Sequence, residues 1–344
     1  MTTCQGNHMP SDHDAAQASD TILRDASIFV TAGTGSFGRE FVRTVLRERS
    51  PRRVVIFSRD ELKQSEFAAE LGSDPRVRFF IGDVRDESRL WRALDGIDYL
   101  VHAAALKQVP AAEYNPLEAV KTNILGAENV INAALDRGVQ RVIALSTDKA
   151  SSPINLYGAT KLVSDKLFTA ANAYAGGHAT RFSVVRYGNV VGSRGSVVPL
   201  FKRLAASGVL PITDERMTRF WITLDQGVRF VLRALEQMHG GELFIPKIPS
   251  MRVTDLASAL APDARLEVVG IRPGEKLHEE MISVEDARRT VDAGDFYVMQ
   301  PEFEWWHPGN WPNATAVPEG FRYTSDTNTR WLGIDELRTM VRDG

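Results

Sequence analysis

Between the apolar run Ser27-Ile28-Phe29-Val30-Thr31 and a helix-forming stretch from Arg39 to Arg47 lies the turn Thr31-Ala32-Gly33-Thr34-Gly35-Ser36-Phe37-Gly38. A glycine-rich hexad on its own is weak evidence. With a buried strand before it and a helix after it, it constrains the fold strongly, because backbone N–H groups and the positive helix end then form a cradle for a pyrophosphate. Further β-branched and aromatic runs follow at Arg53–Phe57, Val77–Ile81, Tyr99–His102, Arg141–Leu145 and Ser183–Arg186, with helical segments between them, such as Pro116 to Arg137 and Tyr157 to Tyr174. This alternation predicts an α/β fold, a Rossmann-like doubly wound parallel sheet with a smaller C-terminal substrate-binding lobe.

The 344 residues suit one large α/β domain or two lobes sharing a cleft. Residues 1–24 are polar and are expected to form a disordered tail, with order beginning at Ser27. Residues 25–190 are expected to form the nucleotide-binding domain with the catalytic residues. Residues 191–344, richer in short glycine- and proline-punctuated segments, are expected to form mostly the substrate lobe, with Ile222 to Met238 returning to the large domain. Trp305, Trp306, Trp311 and Trp331 are expected in the core or a subunit interface. A net charge of −3 gives no reason to expect nucleic acid or an anionic membrane as partner. No apolar run nears the ~20 residues of a membrane span, and no basic segment followed by an apolar core marks a secretory signal. Cys4 is the single cysteine, so intrachain disulfides are impossible and a cytoplasmic location is expected. No His, Asp and Glu fall at metal-ligand spacing, and no metal is expected.

In the turn, Gly33, Gly35, Ser36, Phe37 and Gly38 are the candidate cofactor contacts. Ser58-Arg59-Asp60 follows the second strand, where the adenosine ribose should lie. Ser58, Arg59 and Lys63 supply a hydroxyl and two cations, which suit a 2′-phosphate and so favour NADP over NAD; alternatively the two cations are a solvated helix start. Asp83 and Val84 would bracket the adenine. His102 is expected to pack at the strand end. The small side chains of Ala103 and Ala104 let a cofactor approach the backbone.

Ser146-Thr147-Asp148-Lys149-Ala150 leads into Tyr157-Gly158-Ala159-Thr160-Lys161. Tyr157 and Lys161, four residues apart, share one helical face, where the ammonium can stabilise a phenolate and make Tyr157 a base for a sugar hydroxyl. The extra Asp148-Lys149 pair points to chemistry beyond hydride transfer and separates a simple dehydrogenase or epimerase from a dehydratase. Neighbours on an extended strand point to opposite faces, so both can enter one site only if the chain turns there; Pro153 and Asn155 predict a loop. The plain alternative is a surface ion pair after a strand.

Several longer motifs occur in order: Ser58-Arg59-Asp60-Glu61-Leu62-Lys63-Gln64, His102-Ala103-Ala104-Ala105-Leu106-Lys107, Glu113-Tyr114-Asn115-Pro116, Lys121-Thr122-Asn123, Pro153-Ile154-Asn155-Leu156-Tyr157, Arg186-Tyr187-Gly188-Asn189-Val190, Met217-Thr218-Arg219-Phe220-Trp221, Arg272-Pro273-Gly274-Glu275-Lys276 and Ser325-Asp326-Thr327-Asn328. Together with the Ser146–Lys161 stretch, over roughly residues 27 to 340, the chain resembles the extended short-chain dehydrogenase/reductases, specifically the soluble inverting UDP-N-acetylglucosamine 4,6-dehydratases.

The resemblance implies tightly bound, recycled NADP, a UDP-amino-sugar substrate and a homo-oligomer, dimer-based and up to a hexamer. It assigns the C5 base to Lys149 and the acid for the C6 hydroxyl to Asp148, with Thr147 steering O4 and Tyr157. Tyr157, Lys161 and Lys107 are expected at the cofactor, and Lys107 also at the substrate. Asn189, Val197, Arg219, Arg272 and Glu275 are the expected substrate contacts, the two guanidinium groups suiting a diphosphate. A lysine serves as base only if its pKa falls toward neutrality, and Asp148 as acid only if its pKa rises, which adjacency to Lys149 opposes. Two positions depart from the family pattern: Ala32 replaces the first glycine of the turn, strained if φ is positive, and Gln108 replaces a histidine, removing any titration there. The alternatives are a UDP-sugar 4-epimerase, a dehydratase that retains C5 or releases a 5,6-ene, and a nucleotide-binding sensor without catalysis.

Overall fold

Six parallel strands form the frame: β1 Ser27–Thr31, β2 Arg53–Ser58, β3 Val77–Ile81, β4 Tyr99–His102, β5 Arg141–Thr147 and β6 Arg181–Tyr187. In this computed structural model, which describes residues 22–192 and 197–343, they lie in the order β3-β2-β1-β4-β5-β6. Every residue of β1 and β4 is buried, as expected of strands covered by helices on both faces. β3, at the edge, is half exposed. The order reverses between β1 and β4, which both pair in parallel with their neighbours. A crevice opens at such a switch point beyond the carboxyl ends of the strands, and the site lies there.

The sheet continues past β6 with Leu243–Pro246, parallel to β6, and then with Phe296–Met299, Thr290–Asp292 and Thr315–Ala316, each antiparallel to its neighbour, to give ten strands. The second half of the chain is thus divided. These four strands extend the large sheet, while Asn189–Val190, Thr218–Ile222 and Ser250–Arg252 form a separate small one. A second apolar cluster around Phe201, Leu210, Trp221, Leu256 and Leu337 supports that smaller body. The helix Leu224–Gln237 starts with a Thr223–Gln226 capping box and packs on the helix Ser36–Glu48, where Arg229 meets Glu48 at 2.7 Å.

Most of the expected tail, residues 1–21, lies outside the described residues. The expectation fails for its last residues. Ile22 to Asp25 form a turn, and Leu23 is fully buried in the main core, so order begins ahead of Ser27. Trp311 packs in the core against Phe244 and Phe296, whereas Trp305 is 40% exposed and stacks on Phe303. No helix among the described residues is long and apolar enough to cross a membrane.

Candidate active site

The glycine-rich turn closes tightly at the end of β1. Gly33 N–H donates to Phe57 O and Gly35 N–H to Ala32 O, at 3.2 and 2.9 Å. A Cβ on Gly38 would sit 2.5 Å from the Gly33 Cα, and one on Gly33 would sit 2.8 Å from Ile56 Cγ2. Only hydrogens fit, so the helix Ser36–Glu48 comes directly onto the strand end. Its N-terminus has no side-chain cap and no acidic residue in its first turn. By contrast, the helix Glu61–Leu71 is capped by Asp60, which accepts from Lys63 N. The first helix therefore presents unsatisfied N–H groups and an uncompensated dipole, which fits the diphosphate of a dinucleotide with Gly33, Gly35, Ser36, Phe37 and Gly38 as its cradle. Ala32 has φ +50°, so the residue that departs from the family glycine stands in the left-handed region.

Thr31 locks β1 to β4. Its hydroxyl accepts from Ala103 N and Ala104 N at 2.9 and 3.1 Å and reaches His102 Nδ1 at 3.1 Å. His102 is buried, and desolvation followed by the Lys161 charge pushes its pKa down to about 3, so it is neutral. Beyond β2, Ser58 is buried and accepts from Gln64 Nε2. Arg59 is half exposed, 3.5 Å from Asp83, and Lys63 pairs with Asp60. Val84 is buried beside them, and Asp83 also takes Arg85 at 2.8 Å.

At the end of β5 the chain makes the turn that the site demands. Asp148–Ala150 form a 3₁₀ turn in which Thr147 Oγ1 accepts from Lys149 N and donates to Asp148 Oδ1 at 2.9 Å. The helix Leu156–Ala171 begins with Asn155, whose side chain accepts from Gly158 N at 2.8 Å and donates to Gly274 O at 2.8 Å. It carries Tyr157 and Lys161, both buried. Tyr157 lies within hydrogen-bond reach of Thr147. Desolvation pushes its phenol up to about 12, partly offset by the Lys149 charge. Lys161 turns instead toward Ser164, 3.5 Å away, and its ammonium is held below the usual lysine range by desolvation against the pull of Asp165. The cation that favours the phenolate is thus Lys149.

Asp148 is fully buried, and desolvation raises its carboxyl despite Lys149 at 3.0 Å. Burial therefore outweighs the adjacency that opposed an acid role. For Lys149 the balance runs the other way: desolvation acts to lower its pKa, but Asp148 and Glu279 together outweigh it and hold it raised, as an ammonium. Glu279, at 3.2 Å from Lys149, is 2% exposed and also lies 3.6 Å from Arg219. Lys107, after β4, is held below the usual range by desolvation and then by the Lys149 charge. Asp148 Oδ2, Glu279 Oε2, Asn189 Oδ1 and Glu275 Oε2 are buried polar atoms without a partner, and they are groups a polar ligand could satisfy.

The sequence profile of the polysaccharide biosynthesis protein family matches residues 28–301. An inverting UDP-N-acetylglucosamine 4,6-dehydratase of Campylobacter jejuni is 54% identical over 93% of this chain and 98% of its own. The chain belongs with the inverting UDP-N-acetylglucosamine 4,6-dehydratases. Among solved structures, the protein Pen from Bacillus thuringiensis superposes with a TM-score of 0.86 at 36% identity, covering 94% of this chain and 99% of that one. A dTDP-glucose 4,6-dehydratase from Streptomyces venezuelae with NAD bound gives 0.66 at 27% identity, covering 73% of this chain and 86% of that one.

In this member of the family, the expected substrate residues are only partly gathered. Arg219 lies beside Glu279, which reaches Lys149, and its guanidinium donates to Thr218 O and Leu277 O. Arg272 is 60% exposed and lies 3.7 Å from Glu275 Oε1, a contact that leaves Glu275 Oε2 unpartnered. Their loop is tied to the start of the helix Leu156–Ala171 through Asn155 and Gly274. Asn189 sits on the strand beside Trp221, and Val197 opens the helix Val197–Leu204. Two residues escaped the reading of the sequence. Asn123, in a π-helical turn, clamps both backbone groups of Leu106 and reaches Thr160 Oγ1, fixing the loop after β4. Glu279 is the other; its only signal was a Glu279-Glu280 pair preceding the apolar Met281-Ile282. Among the described residues no group of His, Cys, Asp and Glu is placed to hold a metal.

Proposed function

We propose that this protein is a UDP-N-acetylglucosamine 4,6-dehydratase that inverts C5, using NADP as a tightly bound, recycled cofactor. The observation that carries this reading is the Asp148–Lys149 pair, folded by a 3₁₀ turn into the same buried site as Tyr157. An epimerase needs only the Tyr157–Lys161 pair. A dehydratase also needs an acid and a base on one side of a sugar, and a raised Asp148 carboxyl supplies the acid.

A dinucleotide held by its diphosphate at the glycine-rich turn would supply the hydride acceptor for C4 and the hydride donor for C6. Tyr157 removes the O4 proton, with Thr147 steering the hydroxyl. The C4 ketone acidifies the C5 hydrogen, which Lys149 removes. Asp148 gives its proton to the C6 hydroxyl, which leaves as water. C5 is then reprotonated from the opposite face, which inverts it. For the base step Lys149 must first give up the proton that Asp148 and Glu279 hold on it. Tyr157, Lys161 and Lys107 would line the cofactor; Lys107, Asn189, Val197, Arg219, Arg272 and Glu275 would take the UDP-sugar. NADP is favoured over NAD by Arg59 and Lys63 and by the absence of an acidic residue at Ser58, the end of β2. A cytoplasmic homo-oligomer built on dimers belongs to the same proposal. Tyr114 and Leu117, 87% and 70% exposed near the Tyr157 helix, accord with a subunit interface.

Incubation of the protein with UDP-N-acetylglucosamine in D₂O, followed by proton NMR, tests the reading. A 4-keto-6-deoxy sugar of arabino configuration with deuterium at C5 supports it. An intact skeleton inverted only at C4 shows an epimerase and overturns it, as does the absence of turnover.

A further inference from the structure

The short segment from Lys276 to Glu280 grips the catalytic turn at successive points. Lys276 Nζ donates to Ser151 O at 2.6 Å, Glu279 Oε1 lies 3.2 Å from Lys149 Nζ, and Glu280 accepts from the hydroxyls of Ser151 and Ser152 at 3.3 and 2.5 Å. Ser152 has φ +40°, a backbone conformation that persists in a non-glycine residue only where the surroundings over-determine it. The Glu279 backbone is itself pinned: its N–H donates to Ser325 Oγ and its carbonyl accepts from Ser325 N, at 2.9 and 2.8 Å. A buried carboxylate on a fixed backbone therefore reaches the amino group of Lys149 at 3.2 Å, as a second carboxylate besides Asp148 at 3.0 Å.

We propose that Glu279 is a positioning residue for the elimination step: together with Asp148 it holds the Lys149 amino group in place, and it sets the pH at which Lys149 becomes a base. The proposal rests on the reading that Lys149 takes the C5 proton. The charged and titratable groups around Lys149 are Asp148 from its own turn, Tyr157 from the helix, Lys107 from the loop after β4, Arg219 from Thr218–Ile222, and Glu279 and Lys276 from the gripping segment. Asp148 must carry a proton to act as the acid, and once protonated it no longer holds the ammonium. Glu279 is then the remaining carboxylate at contact distance. Its Oε2 has no hydrogen-bond partner among the described residues, and Lys149, Arg219 and Lys276 are the cations that act on its charge.

The sign of the effect follows. A lysine base works only when neutral, so elimination climbs with pH as the proton leaves Lys149. A carboxylate beside the ammonium moves that climb to higher pH, and its removal moves the climb to lower pH. The test measures the rate of elimination against pH by NMR in the full chain supplied with NADP and UDP-N-acetylglucosamine. Glu279→Gln is expected to shift the rising limb down by about 1 pH unit or more. Glu279→Asp, which keeps the charge but withdraws it by one methylene, shifts it the same way by less and carries the test if the glutamine chain does not fold. Rates lowered at every pH with the limb unmoved in the variants overturn the proposal and leave Glu279 a structural residue. Lys149→Ala separates the two levels. Loss of elimination there upholds the base reading, whereas surviving elimination removes that reading and this proposal with it.

Discussion

Gly158 lies so close beneath Lys149 that a Cβ on it would come 2.1 Å from the Lys149 carbonyl oxygen. Backbone rests on backbone here, so the separation between the Asp148-Lys149 turn and Tyr157 is set by the packing of two main chains and not by flexible side chains. Gly158→Ala forces the 3₁₀ turn away from the helix. The expected cost is about 1–3 kcal/mol of stability from overpacking, with turnover falling on the order of 100-fold because the reacting groups separate. Urea denaturation and turnover measured on the same sample check this. Wild-type turnover in a folded Gly158→Ala chain would show that the turn tolerates the shift.

Ala32, at φ +50°, holds a conformation that disfavours any side chain with a Cβ. Replacing it by glycine relieves that strain but frees the unfolded chain, and the first effect is the larger where φ is positive. Ala32→Gly should therefore raise stability by about 1 kcal/mol and tighten the cofactor, since the turn no longer opposes the shape that closes on the diphosphate. Denaturation without cofactor and calorimetric titration with it separate the two gains. Lower stability in the glycine chain would mean that the turn carries no strain at Ala32.

His102 makes stability depend on pH in a defined window. Its ordinary pKa of 6.5 falls to about 3 in the fold. Above the upper value both folded and unfolded chains hold it neutral, and it contributes no slope. Between the two values the unfolded chain binds a proton that the folded chain refuses, so stability falls as the medium is acidified, by about 1.4 kcal/mol per pH unit at most. His102→Gln should flatten that part of the stability curve, measured by urea denaturation between about pH 6 and 4. An unchanged slope would place the acid sensitivity elsewhere.

The parts of the fold that could be read in advance are those decided locally. β1 and β4 are buried on both faces, so their apolar runs carry no alternation to misread. The Asp148-Lys149 and Tyr157 spacing is likewise local, since one short turn joins strand to helix. What could not be read depends on distant chain segments. Sequence spacing places Tyr157 and Lys161 on one face, but only the packing shows that the Lys161 amino group reaches Ser164 and acts on His102. Glu279 looks like a surface carboxylate until the strand Glu280–Ile282 carries it beside a lysine 130 positions earlier in the chain. For Ala32 the sequence posed the question of φ and the fold answered it.

Arg59 decides which cofactor is held if the 2′-phosphate reading is right. It leans 3.5 Å from Asp83 and keeps its side chain half exposed, so a phosphate can recruit it without breaking a buried ion pair. NAD has only a hydroxyl at that position and offers no charge for the guanidinium. A charged hydrogen bond is worth about 1.5–3 kcal/mol, so Arg59→Ala should weaken NADP by roughly 10- to 100-fold and leave NAD nearly unchanged. Lys63 is already paired with Asp60, and Lys63→Ala should cost less than Arg59→Ala. Calorimetric titration of each variant with both cofactors measures the difference, and equal losses for NADP and NAD would assign Arg59 to the solvated helix start instead.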